Sequence, residues 1–188
     1  MNKTKRKIFE TAMDLFAKKG YEATSIEEIT ATVGVAKGTL YYHFSSKEEI
    51  FNFLTVEGMK LLKNSVEIKT SKLENSIDKL KAIILIQIKI LVKYQNFITI
   101  LFSQIWGTEE RSKVFRESVY EYINMIKVIV QEGMEKGEII KGSSEIAASS
   151  IFGLGASGLI YRLKTEEEID IAKVYNEIQR FIINGLES

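Results

Sequence analysis

The chain contains no cysteine and no proline, and only one histidine, His43, among 188 residues. Without cysteine there is no disulfide framework and no thiolate metal site, so a reducing interior is permitted. One imidazole and no phosphate-cradling glycine loop leave little catalytic equipment, so no enzyme activity, cofactor or metal site is expected. The acids that could hold a metal, Glu109 and Glu110 or Glu166, Glu167 and Glu168, read more simply as helix-start carboxylates complementing the dipole. The missing proline removes the strongest helix breaker. Long apolar runs are missing too. No segment reaches the ~20 apolar residues that a membrane span needs, and the greasiest run, Ile83 to Val92, is broken by Gln87 and Lys89. The opening MNKTKRK carries four basic side chains but no apolar signal core. A cytoplasmic chain with no membrane partner is therefore expected. With 26 basic and 25 acidic residues, net charge says nothing about partners, and only its distribution can.

What is present is helix. Apolar side chains recur at three- and four-residue spacing almost throughout, and no period-two run occurs, so the chain reads as all-α with about nine helices. The first helix spans about Lys3 to Lys19, with Ile8, Ala12, Leu15 and Phe16 on one face. Lys18 and Lys19 suit its negative end and Gly20 stops it. Ser25 and Glu28 form the spacing of a capping box that opens a second helix. Gly34 closes that helix and allows the left-handed backbone of a tight turn. A third helix covers about Ala36 to Phe44, with Leu40 and Phe44 facing back onto the first two. Ser46 and Glu49 repeat the capping box and open a long fourth helix to about Ile68. Five more follow, over about 73–94, 97–106, 108–136, 143–164 and 167–185. The fifth is apolar on most of its circumference, as a buried central helix should be.

Once Leu40 and Phe44 are turned inward, the third helix exposes Lys37, Gly38, Thr39, Tyr41, Tyr42 and His43. A glycine in the first turn lets the backbone approach another surface closely. Thr39 suits a base edge or a thymine methyl. The two tyrosines offer hydroxyls to phosphate oxygens and flat rings to methyl groups. Lys47 in the first turn of the fourth helix, and Thr24 and Ser25 at the start of the second, lie beside free backbone N–H groups, where phosphates are readily held. Each of these residues alone would pass for ordinary surface. Two capped helices, a glycine turn and an aromatic-basic face in one 24-residue stretch point together to the major groove of DNA.

The segment GVAKGTLYYHFSSKEEIF, with KIFETAMDLFAKKGYEATSIEEI before it, closely resembles the DNA-recognition region of the TetR (tetracycline-repressor) family of bacterial transcription regulators. The resemblance covers about the first fifty residues. It implies that Lys37, Gly38, Thr39 and Tyr42 read or closely approach bases, and that Tyr41, His43, Lys47 and Thr24 mainly hold phosphates. Three positions depart from the usual pattern. Thr30 and Val33 stand where alanines are frequent, and Ala36 replaces a frequent serine, which removes a cap worth ~1 kcal/mol.

Two domains are expected: residues 1–47 as a helix-turn-helix DNA-binding head, and residues 48–188 as a helical ligand-binding and dimerisation domain. Reading a palindromic operator requires two copies of the third helix, so a homodimer is expected on physical grounds. Its candidate interface is Ser149, Gly153 and Ser157 on the eighth helix with Tyr175, Ile178, Phe181 and Ile182 on the ninth, although both stripes could instead pack inside one subunit. Gly155 and Gly158 add small residues to the first stripe. Aromatic and embedded polar residues suggest a pocket for an apolar or amphipathic small-molecule effector, with Gln87, Phe102, Gln104, Trp106 and Tyr122 as lining candidates. The function expected is a ligand-responsive repressor released from its operator by that effector. The competing reading is a helical ligand- or partner-binding module that never touches DNA.

Overall fold

The computed structural model describes residues 3–165 and 170–186, without the side chains of 96, 156–165 and 183–186. Among the described residues all regular structure is helical: α1 (Lys3–Lys19), α2 (Ile26–Val33), α3 (Lys37–His43), α4 (Lys47–Thr70), α5 (Ser76–Lys93), α6 (Gln95–Ser103), α7 (Glu110–Glu135), α8 (Ser144–Thr165) and α9 (Ile171–Leu186). The class and the helix order expected from the periodicity are the ones observed. Boundaries shift where caps decide them. The α5 helix begins at Ser76 rather than Leu73, because the Asn75 side chain accepts hydrogen bonds from the Ile77 and Asp78 N–H groups at 2.9 and 3.2 Å. Asp170 does the same for Ala172 and Lys173 at the start of α9. The α6 helix ends at Ser103, three residues earlier than the pattern suggests, which leaves Trp106 in a turn.

The chain forms two compact units that do not follow chain order: Met1–Gly58 with Asn96–Ser118, and Met59–Gln95 with Val119–Ser188. Residues 1–47 lie wholly within the first, and α4 and α7 each contribute to both.

In the first unit the core consists of Ile8, Ala12 and Phe16 from α1, Ile29 from α2, Leu40 from α3, Phe44, and Ile50, Phe51 and Leu54 from α4. The Phe51 ring packs against Phe16, Tyr21 and Phe97 at centroid distances of 5.7, 5.1 and 6.1 Å. Helices of eight and seven residues are too short to persist alone in water. Each apolar side chain they bury here contributes roughly 1.5–3 kcal/mol, and this docking is what maintains α2 and α3.

In the second unit α5 packs against α8 and α9. Leu80, Ile83, Ile84 and Ile88 of α5 share the core with Tyr122, Ile126 and Val130 of α7, Ala148 and Ile151 of α8, and Ile178 and Ile182 of α9. The end of α7 is pinned to the start of α5. The Gly133 carbonyl accepts from the Glu138 and Ile139 N–H groups, and the Glu138 carboxylate accepts from the Ser76 N–H at 2.7 Å. Lys127 pairs with Glu145 at 2.5 Å. Its ammonium, with the backbone N–H of Glu145 itself, draws the Glu145 carboxyl down to about 2. Among the described residues no single helix is long and apolar enough to cross a membrane, and no group of three or more His, Asp or Glu could hold a metal ion. Glu166, Glu167 and Glu168 lie outside the described residues.

Candidate nucleic-acid interface

The α3 helix is held in place by its two neighbours. Ser25 accepts a hydrogen bond from the Glu28 N–H at 3.1 Å, as the capping box requires. The Glu28 carboxylate does not reciprocate and is taken by Lys19. Gly34 then adopts φ 76°, ψ 38°, and its N–H and that of Val35 both return to the Thr30 carbonyl. This left-handed residue re-aims the chain into α3. As the sequence predicts, Ala36 supplies no side-chain cap. Beyond α3, Ser46 caps the Glu49 N–H at 3.1 Å, while the Glu49 carboxylate reaches back to Ser45, accepting from both its N–H and its hydroxyl at 2.6 Å. These bonds hold its carboxyl below the usual range.

Of α3 only Leu40 is buried. Lys37, Gly38 and Tyr41 are exposed, Thr39 and His43 are half-buried, and Tyr42 is 85% exposed. An aromatic ring so open to water on a docked helix contributes nothing to the core. It rests edge-on against His43, 5.1 Å between centroids. Lys37 reaches Glu27 at 2.5 Å, which raises its own pKa and lowers that of the carboxylate. Both partners are more than half exposed, so the pair is weak and readily exchanged for a phosphate.

Two residues expected at the interface behave differently. Thr24 is buried, and its hydroxyl donates to the Gly20 carbonyl at 2.8 Å. That bond closes the α1–α2 corner and leaves nothing for a phosphate; Ser25 next to it is the exposed one. Lys47 is in place at the start of α4, but its ammonium donates to the Tyr21 and Glu22 carbonyls at 2.9 and 3.3 Å and lies 4.4 Å from the centre of the Tyr21 ring. With three N–H donors it retains one for an external acceptor. Reasoning from sequence missed a second cation at that ring: Arg111, 4.5 Å from its centre. Arg111 is also bonded to Gln104 at 2.8 Å and to Glu22 at 3.3 Å. Nothing in the spacing of residues 21, 47 and 111 announces the cluster.

The residues expected to line an effector pocket separate. Gln87 and Tyr122 are buried in the second unit. In the first, Phe102 packs against Phe115 at 6.0 Å and Gln104 is engaged by Arg111. Trp106 is 89% exposed, because the turn after α6 carries it to the surface, so it lines no enclosed pocket. Of the expected dimer residues, Ile178 and Ile182 are already buried within one chain, whereas Ser149, Gly153 and Phe181 remain exposed, the last at 76%. Tyr175 is half-buried, and the side chain of Ser157, like Gly158, lies outside the described residues. Gly155 is buried against Gln87 and takes no part in an exposed stripe.

A capped helix, a left-handed glycine turn and a short helix offering polar and aromatic groups outward define a helix-turn-helix DNA-binding head. Residues 8–53 match the model of bacterial regulatory proteins of the tetR family, and residues 73–158 match the tetracyclin repressor-like C-terminal domain. A Clostridium perfringens protein described provisionally as a fatty acid metabolism regulator is 36% identical over 95% of this chain and 97% of its own, with a TM-score of 0.88. The fatty acid metabolism regulator protein of Bacillus subtilis (strain 168) is 26% identical over 184 residues, 96% of this chain and 94% of that protein. The structure of the Bacillus subtilis transcriptional regulator FadR in complex with stearoyl-CoA shares the fold, with a TM-score of 0.87 at 24% identity over 96% of this chain and 98% of that one. The chain belongs to the tetR family of bacterial regulatory proteins. It is a DNA-binding transcriptional regulator.

Proposed function

We propose that this protein is a repressor that binds a palindromic operator as a homodimer through α3 and is released by a long-chain fatty acyl conjugate. The outward face of α3 carries the DNA half of this reading: Lys37, Gly38, Thr39 and Tyr42 approach bases, and Tyr41, His43, Ser25 and Lys47 hold phosphates. Residues 1–47 act as the reading head and residues 48–188 as the ligand-binding and dimerising part. Ser149, Gly153 and Phe181 form the exposed portion of the dimer face. The effector class is supported by the relatives named for fatty acid metabolism and by the stearoyl-CoA bound to one protein of the same fold. It agrees with the amphipathic effector that the composition suggests.

Release requires only a modest bias. The α4 helix is continuous from Lys47 past Met59 and Leu62, so a tilt favoured by ligand in the second unit changes the spacing of the two reading helices. The loss of operator affinity is at most the effector's differential affinity for the two tilts. A tenfold release needs ~1.4 kcal/mol.

Two substitutions test the head. Tyr42→Ala is expected to weaken an operator, sought first as an inverted repeat upstream of the chain's own coding region, more than it weakens random duplex. Equal losses on both, read by fluorescence anisotropy, would mean that Tyr42 reads no base. Lys47→Ala is expected to weaken both and to lower the slope of log affinity against log salt by about 0.9 per subunit. An unchanged slope with a lower melting temperature would restrict Lys47 to holding the α1–α2 corner.

A further inference from the structure

The core of the second unit contains two polar side chains that the protein's own hydrogen bonding leaves open. Gln87 on α5 is 4% exposed, and neither its amide nitrogen nor its amide oxygen has a hydrogen-bond partner. Tyr122 on α7 is fully buried, and its hydroxyl is equally unpartnered. Buried amides and phenols are nearly always bonded, so two together call for an explanation. Asn52 Oδ1 and Ser76 Oγ are also unpartnered, but they stand singly, one on α4 and one at the start of α5.

Gln87 and Tyr122 are neighbours. Burial pushes the Tyr122 phenol well above its ordinary range, and hydrogen-bond donation from the Gln87 side chain opposes that rise, although the pair lies outside full hydrogen-bond geometry. On another side the backbone of α8 leaves room for the amide. A Cβ at Gly155 would lie 2.7 Å from Gln87 Oε1. Buried apolar residues flank the pair along both helices. Ile83, Ile84 and Ile88 lie within one turn of Gln87 on α5, Ile126 is one turn beyond Tyr122, and all four are buried. The Phe152 ring meets Tyr122 at 6.1 Å.

We propose that Gln87 and Tyr122 form the polar contact point of the effector site and recognise the uncharged carbonyl oxygen of an acyl thioester rather than a free carboxylate. This rests on the acyl-conjugate reading given above and specifies which atom of the effector is read. The amide NH2 and the phenolic O–H are both donors, and a carbonyl oxygen has two lone pairs to receive them. The raised phenol pKa keeps that donor protonated throughout the physiological range. A carboxylate would bring a full charge among isoleucines and a phenylalanine, which is far costlier than a neutral oxygen that accepts two bonds. The absent side chain at Gly155 gives the amide space to turn toward the ligand.

The test compares stearoyl-CoA with S-octadecyl-CoA, a thioether that keeps the chain and the nucleotide and lacks only the carbonyl oxygen. Binding to the full chain is measured by calorimetry, with stearate as a third probe. The wild type is expected to prefer the thioester about tenfold, equivalent to ~1.4 kcal/mol. Gln87→Leu and Tyr122→Phe are each expected to bring that ratio toward one by weakening the thioester, with thioether affinity kept within about twofold. Gly155→Ala, which displaces only the far end of Gln87, is expected to reduce the ratio as well. Without ligand, Tyr122→Phe should melt at or above the wild-type temperature, because it removes an unpartnered hydroxyl and keeps the ring. Equal binding of thioester and thioether by the wild type would overturn the carbonyl contact and leave the acyl-conjugate reading standing. Failure of both CoA compounds to bind, with or without binding of stearate, would overturn both. A marked loss of melting temperature in ligand-free Tyr122→Phe would make the pair a structural element and overturn the proposal.

Discussion

Leu40→Ala is expected to abolish specific DNA binding without removing a single exposed group of α3. The α3 helix has seven residues and one buried side chain. Truncating a buried leucine costs roughly 2–5 kcal/mol, and an isolated helix of this length has no stability of its own to offset the loss. At ~1.4 kcal/mol per tenfold, a loss near 3 kcal/mol lowers the ratio of docked to undocked α3 by about a hundredfold relative to wild type. The remaining core of the head, Ile8, Phe16, Ile29 and Phe51, stays in place, so far-UV circular dichroism should change little while operator affinity collapses. Leu40→Met keeps the volume and is expected to cost less than about 1.5 kcal/mol and to retain binding. Operator affinity of Leu40→Ala within twofold of wild type would show that α3 is held by something other than its buried face.

The second large effect reverses a usual sign. Glycine within a helix is ordinarily worth replacing, since alanine gains up to ~1 kcal/mol. At Gly133, near the end of α7, a Cβ would stand 2.5 and 2.8 Å from Ile139 Cδ1 and Cγ1 and 2.9 Å from Ser76 Cβ. Neither neighbour has room to yield. Ile139 is buried, and Ser76 is held under the Asn75 cap by the Glu138 carboxylate. Overpacking of this kind costs roughly 1–3 kcal/mol, which exceeds the propensity gain. A net destabilisation of about 1–2 kcal/mol is expected, or roughly 2–8 °C of melting temperature for a chain of this size. Gly58 on α4 is the internal control. Its Cβ would meet nothing within 4 Å, so Gly58→Ala should stabilise by about 0.4–1 kcal/mol. Calorimetric melts of the two variants should therefore move in opposite directions. A raised melting temperature for Gly133→Ala would mean that the junction of α7 and α5 is looser than these distances indicate.

The first fifty residues were the most legible because their architecture is written in local chemistry. Ser25, Ser46 and Gly34 act on atoms within a few residues, and those signals survive without knowledge of the rest of the chain. The limits are equally physical. Thr24 and Ser25 look alike beside a helix start, and only the path of the preceding turn decides that one hydroxyl points to Gly20 and the other outward. Trp106 belongs to an apolar pattern that predicts three more residues of helix, and its exposure follows from the early end of α6. The apolar stripe of α9 was visible, but a stripe does not reveal what covers it. Ile178 and Ile182 turn into the chain while Phe181 points away. Gln87 stands out in the sequence as a polar group in apolar company and Tyr122 only as one of a run of aromatics, and their pairing spans two helices and depends on a third passing close at Gly155.

The Tyr21 ring has a guanidinium on it and an ammonium as well, two like charges kept near one aromatic surface by the carbonyls and carboxylates around them. Contacts this short depend on where each cation is held. A helix advances about 100° per residue, so even a fraction of that twist about the axis of α7 would slide Arg111 off the ring and loosen the corner that Lys47 braces. The aromatic at position 21 thus acts as an orientation gauge, tying the bend before α2 and α3 to the angular setting of a helix that begins 89 residues later in the chain.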